Sequence, residues 1–129
     1  MKKAIFGGVA LLALVLVCRV VMADDPKDPK DAPKAFNGYI VDVMCAADMV
    51  GQKDPQDAAA KHPKSCAIKC APSGYGIMCE GKFVKFDDAG NKLATDYLAN
   101  DDNGTQVQVL GTMKDDTLVV KSINAAVAK

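Results

Sequence analysis

The chain has 129 residues, half of them hydrophobic, and its 16 basic and 16 acidic side chains give no net formal charge at pH 7. This length is sufficient for one domain of ordinary size. Nucleic-acid binding is not expected from a chain without excess positive charge, because lysine and arginine supply most of the affinity for phosphates.

The first residues have the pattern of a secretory signal. Lys2 and Lys3 precede an apolar run at residues 4–17. A sequence of the A-x-A type follows and ends at Ala23, which is typical of a cleavage site. The apolar run is shorter than the roughly 20 residues of a membrane-spanning helix. We therefore predict a signal peptide at residues 1–23, cleavage after Ala23, and export to the periplasm or the medium with no stable membrane insertion of the mature chain.

There are two alternatives to cleavage after Ala23, namely a lipid anchor on Cys18 and a signal segment that is retained as an anchor. Export would place the mature chain where disulfides form and persist. Cleavage would also remove Arg19, the single arginine of the chain. The mature chain would then be mildly acidic and would lack any guanidinium group, which is the group that forms bidentate hydrogen bonds with phosphates.

The segment after the signal, residues 24–35, repeats proline, lysine and aspartate without apolar periodicity. Proline fixes φ and removes amide donors, so neither helix nor strand propagates through such a segment. We predict a disordered tether at residues 24–35, a domain at residues 36–125 and a short tail at residues 126–129.

The domain begins with a predicted strand at residues 39–45, which are rich in β-branched and apolar side chains. A cysteine-rich helical insert at residues 46–72 follows. Within it, Asp54 and Pro55 have the character of the N-terminus of a first helix, and Ser65 is expected to cap a second, shorter one. The insert contains few large apolar side chains, so we expect it to need covalent or metal fastening to the domain.

Four further strands and one helix are predicted after the insert. The strands are at residues 75–79, 82–86, 107–111 and 118–123, and the helix at residues 92–100 follows a loop at residues 87–91. A tight hairpin is predicted at Glu80 and Gly81, and side chains are expected to alternate between two faces along the strand at residues 107–111. The order strand, insert, strand, strand, helix, strand, strand matches a five-stranded OB-like barrel, which carries its helix between the third and fourth strands. We therefore predict a mainly β fold with short helices. A small antiparallel α+β sandwich is the alternative.

The chain also resembles a family of small exported bacterial proteins, most of them uncharacterised. The shared features are a G-x-[IV]-x-D-x-x-C motif at residues 38–45, then His62, Cys66 and Cys70, and a V-x-V-x-G-T…D-T-[IL]-x-V-x-S-I pattern at residues 107–123. The resemblance covers about residues 37–124. It implies export and a β-barrel core with a Cys…His…Cys…Cys insert, and it implies no reaction.

The first interpretation of the cysteines is structural. The disulfide candidates are Cys45, Cys66, Cys70 and Cys79. A helix would hold the Cβ atoms of Cys66 and Cys70 about 5–6 Å apart, whereas a disulfide needs about 3.8 Å. We therefore expect Cys45 to pair with Cys66 or Cys70, and Cys79 with the remaining one. The protein would then be a non-enzymatic binding module without a cofactor, and its partner would be a protein, a peptide or a small ligand.

The second interpretation is a soft-metal site. His62, Cys66 and Cys70 are spaced by four residues, and Cys45 would complete a Cys3His set of the kind that binds Zn²⁺. Copper(I) is the other candidate metal, because it prefers thiolates and thioethers. The thioether candidates are Met44, Met49 and Met78.

A thiol–disulfide redox protein is the third interpretation. It is disfavoured because Cys66 and Cys70 are separated by three residues rather than the two of a C-x-x-C motif. We predict no catalytic residues. A possible ligand-binding face is formed by four aromatic side chains, Tyr39, Tyr75, Phe83 and Phe86.

Overall fold

The structure, a computed structural model, describes residues 32–127. The predicted signal peptide, its cleavage site and most of the tether lie outside these residues. The predicted tether ends too late, because Lys34 and Ala35 already belong to the first strand, where they pair with Gly111 and Leu110.

Five strands and four α-helices make up the described chain. Their bounds are β1 Lys34–Asp42, α1 Val43–Val50, α2 Pro55–Ala60, α3 Lys64–Lys69, β2 Tyr75–Cys79, β3 Lys82–Phe86, α4 Asp88–Ala99, β4 Gln106–Lys114 and β5 Thr117–Ala125, with a 3-10 turn at Ala71–Ser73 between α3 and β2. The predicted order of strands, insert and helix is therefore confirmed, as is a mixed fold with a five-stranded sheet and short helices.

Each strand pairs with two others. The order is β1-β2-β3-β5-β4, and β4 pairs with β1, so the strands form a closed ring. All pairs are antiparallel except β3 with β5. β1 is shared between two neighbours, because residues 34–39 pair with β4 and residues 39–42 pair with β2. Asp42, the last residue of β1, therefore lies where the helical segment begins.

The alternation of side chains along β4 is confirmed. Val107, Val109 and Gly111 are buried, whereas Gln106 and Leu110 are exposed. Apolar side chains at every second position can fill one face of a sheet while the others contact water. The main core cluster contains these valines together with side chains from the other strands and from α4.

Helix α4 begins earlier than the sequence predicts. Residues 87–91 were expected to form a loop, but Asp87 is the N-cap of α4 and accepts a hydrogen bond from Gly90 N at 2.9 Å. The same Oδ1 atom accepts from Val120 N of β5 at 3.1 Å. A glycine is required at position 90, because a Cβ there would lie 2.5 Å from Val120 Cγ2. The helix therefore packs closely on the sheet.

The insert contains three short helices rather than the predicted two. The expected start of α2 is confirmed, since Asp54 caps it and Pro55 is its first residue. The predicted cap at Ser65 is wrong, because α3 begins at Lys64 with Pro63 as its N-cap. The buried side chains of the three helices are small except for one methionine: Ala46, Met49, Ala59 and Ala67. Little apolar surface therefore fastens the insert to the sheet.

Candidate functional site

The site begins with Asp42, a completely buried carboxylate at the end of β1. The predicted strand at residues 39–45 is too long, because Asp42 ends it and is the N-cap of α1. Its Oδ2 atom accepts a hydrogen bond from Cys45 N at 2.8 Å. A carboxylate at this position satisfies a free amide of the first helical turn. The other oxygen, Oδ1, has no hydrogen-bond partner.

His62 faces that unpaired oxygen. It lies between α2 and α3, its side chain is 7% exposed, and its Nε2 atom is 3.6 Å from Asp42 Oδ1. Neither ring nitrogen has a hydrogen-bond partner. Within residues 32–127, three of the four buried side-chain polar atoms that lack a partner belong to Asp42 and His62. Such atoms are rare in folded proteins, and a site for a bound ion is one of the few explanations for them.

Two thiols complete the cluster. Cys45 lies in the first turn of α1, and Cys70 is the C-cap of α3. Their sulfur atoms and a carboxylate oxygen of Asp42 all lie within 4.8 Å of one another. His62 lies outside this group of three and adjoins it through Asp42. Together the four side chains offer two sulfurs, one oxygen and one nitrogen, all of which are ligand types that Zn²⁺ accepts.

Ser73 joins the two segments that carry the thiols. Its hydroxyl donates to Cys70 O at 2.8 Å, and its Oγ atom accepts a hydrogen bond from Met44 N at 3.3 Å. The amide of Ser73 also donates to Cys70 O, at 2.9 Å. Val43 N donates to Gly74 O at 2.9 Å, which adds a second link. The backbone therefore holds Cys45 and Cys70 near each other even without a bond between their sulfurs.

The electrostatics of the cluster favour a cation. Burial, and then a hydrogen bond and the negative charge of Asp42, raise the pKa of the Cys45 thiol from 9.0 to about 11. Burial and the charges of Asp42 and Cys70 also raise the pKa of Tyr75, which pairs with Asp42 across β1 and β2. Each shift reflects unfavourable negative charge in a poorly solvated place. A bound cation would reverse this balance and favour the thiolate form.

Because the pKa of its thiol is raised, Cys45 is expected to react slowly with alkylating agents in the metal-free protein. At pH 7.5 a pKa near 11 makes its thiolate fraction about 100-fold lower than that of a thiol with a pKa of 9.0. Peptide-level mass spectrometry after timed iodoacetamide treatment measures the rate, with the urea-unfolded chain as the reference. Asp42→Asn should raise the rate, because it removes the neighbouring charge. A folded protein in which Cys45 reacts faster than in the unfolded chain would contradict this and would favour a thiol–disulfide enzyme.

The predicted metal ligands are brought together only in part. Cys45 and Cys70 lie with Asp42 in one group of potential ligands, and His62 approaches Asp42, whereas Cys66 is not part of that group. The four-residue spacing does not place His62, Cys66 and Cys70 on one helix, because Pro63 separates α2 from α3 and His62 lies in the turn before it. The carboxylate that takes the fourth place, Asp42, was missed. Its signal was an acidic residue within an apolar run, three positions before a cysteine.

The four cysteines of the described residues are free thiols. The predicted disulfide between Cys45 and Cys70 stays a prediction, because their sulfur atoms are not bonded but lie within 4.8 Å of each other. Cys79 lies elsewhere, at the end of β2, where it lines a surface depression together with Phe36 and Val84. Burial raises the pKa of its thiol.

The four aromatic side chains of the predicted ligand face do not form one exposed surface. Tyr75 and Phe86 are buried in the main core cluster. Tyr39 and Phe83 are partly buried and pack against a second cluster, which contains Val41. These rings are therefore core residues, as is usual for aromatic side chains on the inner faces of strands.

The thioether candidates are also dispersed. Met49 and Met78 are buried in the second core cluster, whereas Met44 is largely exposed.

Comparison of the chain with protein-family models, with curated proteins and with solved structures finds no match. Within the part of the chain that the structure describes, no helix has the length and apolar character needed to cross a membrane.

Proposed function

We propose that the protein is an exported domain that binds one Zn²⁺ ion through Asp42, Cys45, His62 and Cys70, and that this ion fastens the helical insert to an OB-like β-barrel. The observation that carries the proposal is the pair of buried side chains, Asp42 and His62, whose unpartnered atoms face each other beside two thiols. Buried polar atoms without partners are costly, and a metal ion would satisfy Asp42 Oδ1 and one ring nitrogen of His62 at once.

The donor set favours zinc over copper(I). Copper(I) prefers thiolates and thioethers, whereas zinc accepts sulfur, nitrogen and carboxylate oxygen in one tetrahedral shell. Adjacent ligands of such a shell lie roughly 3.3–3.8 Å apart. The separation of 3.6 Å between His62 Nε2 and Asp42 Oδ1 fits this value. The two sulfurs lie within 4.8 Å of each other and of an Asp42 oxygen, so these three ligands would need to contract by about 1 Å, and His62, which lies outside that group, would have to move towards the sulfurs.

A structural role follows from the number of ligands and their positions. Four protein ligands leave no open position for a substrate, which is the pattern of structural rather than catalytic zinc sites. The ligands come from the end of β1, from α1, from the turn before α3 and from the end of α3. One ion would therefore tie together every segment of an insert that buries few large side chains.

The barrel assignment is supported by the strand order β1-β2-β3-β5-β4, by the parallel pair β3–β5, and by the position of α4 between β3 and β4. These three features are those of OB folds, which are five-stranded Greek-key barrels. Export is supported by the signal pattern of residues 1–23. The exported domain would serve as an interaction module whose insert is held in one shape by the metal.

Metal analysis tests the proposal directly. The reduced protein should bind one equivalent of Zn²⁺, and Co²⁺ in its place should give the absorption of a tetrahedral site with sulfur-to-cobalt charge transfer. Cys45→Ser and Cys70→Ser should abolish stoichiometric binding. Cys66→Ser is the matched control and should bind as the native chain does. Absence of zinc binding by fully reduced protein, or loss of binding in the Cys66 variant, would overturn the proposal.

A second candidate is the disulfide-stapled binding module without metal. The proximity of the Cys45 and Cys70 sulfurs favours it. In that case the protein isolated from the export compartment would carry no zinc, and its intact mass would be two hydrogens below that of the reduced chain for each disulfide.

A further inference from the structure

The four proposed ligands differ in their accessibility. Asp42 is completely buried, whereas His62, Cys45 and Cys70 are each partly exposed as whole residues, and the side chain of His62 is only 7% exposed. The two thiols are the ligands that can be oxidised by a disulfide, since carboxylate and imidazole take no part in thiol–disulfide exchange.

The two thiols are placed so that they can bond to each other. They lie on separate elements, α1 and the end of α3, and their sulfurs are within 4.8 Å. A disulfide requires about 2.05 Å between sulfurs, so the segments must approach by roughly 2–3 Å at most. Little apolar packing opposes such a movement, because the buried side chains of the insert are mostly alanine.

We propose that Cys45 and Cys70 form a redox switch for the zinc site proposed above, on which this inference rests. A disulfide between the two cysteines releases the metal, and reduction of the disulfide allows the metal to bind again. The oxidant is a small-molecule disulfide of the glutathione type. One thiolate attacks it and forms a mixed disulfide, and the second thiolate displaces the remaining thiol. The two cysteine sulfurs lose two electrons in total, and the oxidant takes up these electrons and two protons as it becomes two thiols. Zn²⁺ is released without a change in its oxidation state.

The oxidised site would have no means of retaining the ion. Sulfur in a disulfide is a poor zinc ligand, because the thiolate is the form that coordinates. Asp42 and His62 would remain, only 3.6 Å apart and without further ligands. The insert would nevertheless stay fastened, since the new bond joins residues 45 and 70 covalently. The domain would thus keep its shape in both states while its metal content follows the redox conditions.

Zinc release during oxidation tests the switch. The whole chain is reduced, loaded with one equivalent of Zn²⁺, freed of reductant and treated with oxidised glutathione. A chromogenic zinc chelator follows release, and intact mass with peptide mapping follows the disulfide. We expect one zinc released for each Cys45–Cys70 bond, loss of two hydrogens in mass, and full rebinding after reduction. The double variant Cys66→Ala, Cys79→Ala is the matched control and should show the same release.

The outcomes separate the two proposals. If the reduced chain binds no zinc, the proposed function fails and the switch fails with it. If zinc binds but remains bound after a Cys45–Cys70 disulfide has formed, only the switch fails. Release that depends on Cys66 or Cys79, and is therefore lost in the double variant, also overturns the switch while leaving the zinc site intact.

Discussion

Saturating Zn²⁺ is expected to raise the free energy of unfolding of the reduced protein by about 4 kcal/mol when free metal exceeds the dissociation constant 1,000-fold. The reason is that the ligands come together only in the folded chain, so that metal binding stabilises the fold. Urea denaturation with and without Zn²⁺, both under reductant, measures the difference. An unchanged midpoint across a range of zinc concentrations would show that the folded chain has no specific site.

Asp42→Asn should remove most of this gain. Asparagine preserves the shape and the N-cap acceptor for Cys45 N, because Asn and Asp are equally good at that position. It lacks the charged oxygen that the metal requires. In the absence of zinc we expect the variant to be at least as stable as the native chain, because it no longer buries an unpaired carboxylate oxygen.

Asp54→Asn is the matched control. Asp54 also caps a helix, accepting from Asp57 N at 3.0 Å, but it is exposed and has no role at the site. This variant should retain the full zinc effect. If both aspartate variants lose it equally, the effect arises from charge or helix stability rather than from coordination by Asp42.

Gly38→Ala should destabilise the protein by about 3 kcal/mol or more, because overpacking against backbone cannot be relieved by a change of rotamer. A Cβ at this position would collide with the carbonyl oxygen of Met78 and would lie 3.0 Å from Ile77 Cγ1. Gly38 lies in β1, near the point where the strand passes from one neighbour to the other. Urea denaturation in the absence of zinc measures the effect apart from the metal site.

Gly51→Ala provides the comparison. Gly51 is the C-cap of α1 with a φ of −81°, and the nearest atom to an added Cβ is Asp48 O at 3.8 Å. Alanine fits there without strain, and its lower backbone entropy in the unfolded chain favours stability by up to about 1 kcal/mol. Equal destabilisation by both variants would mean that the close approach of β1 and β2 at Gly38 is not a constraint on the fold.

Local signals in the sequence determined much of the β framework. The hairpin at Glu80 and Gly81 is confirmed, and both residues adopt positive φ as a tight turn between strands requires. The alternating pattern of β4 and the Asp54–Pro55 start of α2 are likewise confirmed. These features depend on turn chemistry, side-chain period and capping, all of which act over a few residues.

The boundaries that the sequence analysis missed depend on contacts made far along the chain. The segment after Asp42 is rich in apolar residues and fits a strand as well as a helix. The segment forms a helix because Asp42 caps it and because Val43 N donates a hydrogen bond to Gly74 O. In the same way α4 extends back to Asp88, because the Asp87 carboxylate also binds Val120 N of β5.

The sequence by itself determined that a chemical site would be sought among the cysteines and the single histidine, and its candidates included Cys45, His62 and Cys70. Only the tertiary structure decided that Asp42 joins them and that Cys66 does not. The physical reason is that these side chains are 3 to 28 residues apart in sequence. Spacing along the chain specifies neighbours only within one continuous helix or strand, and here a proline, a strand end and two turns intervene.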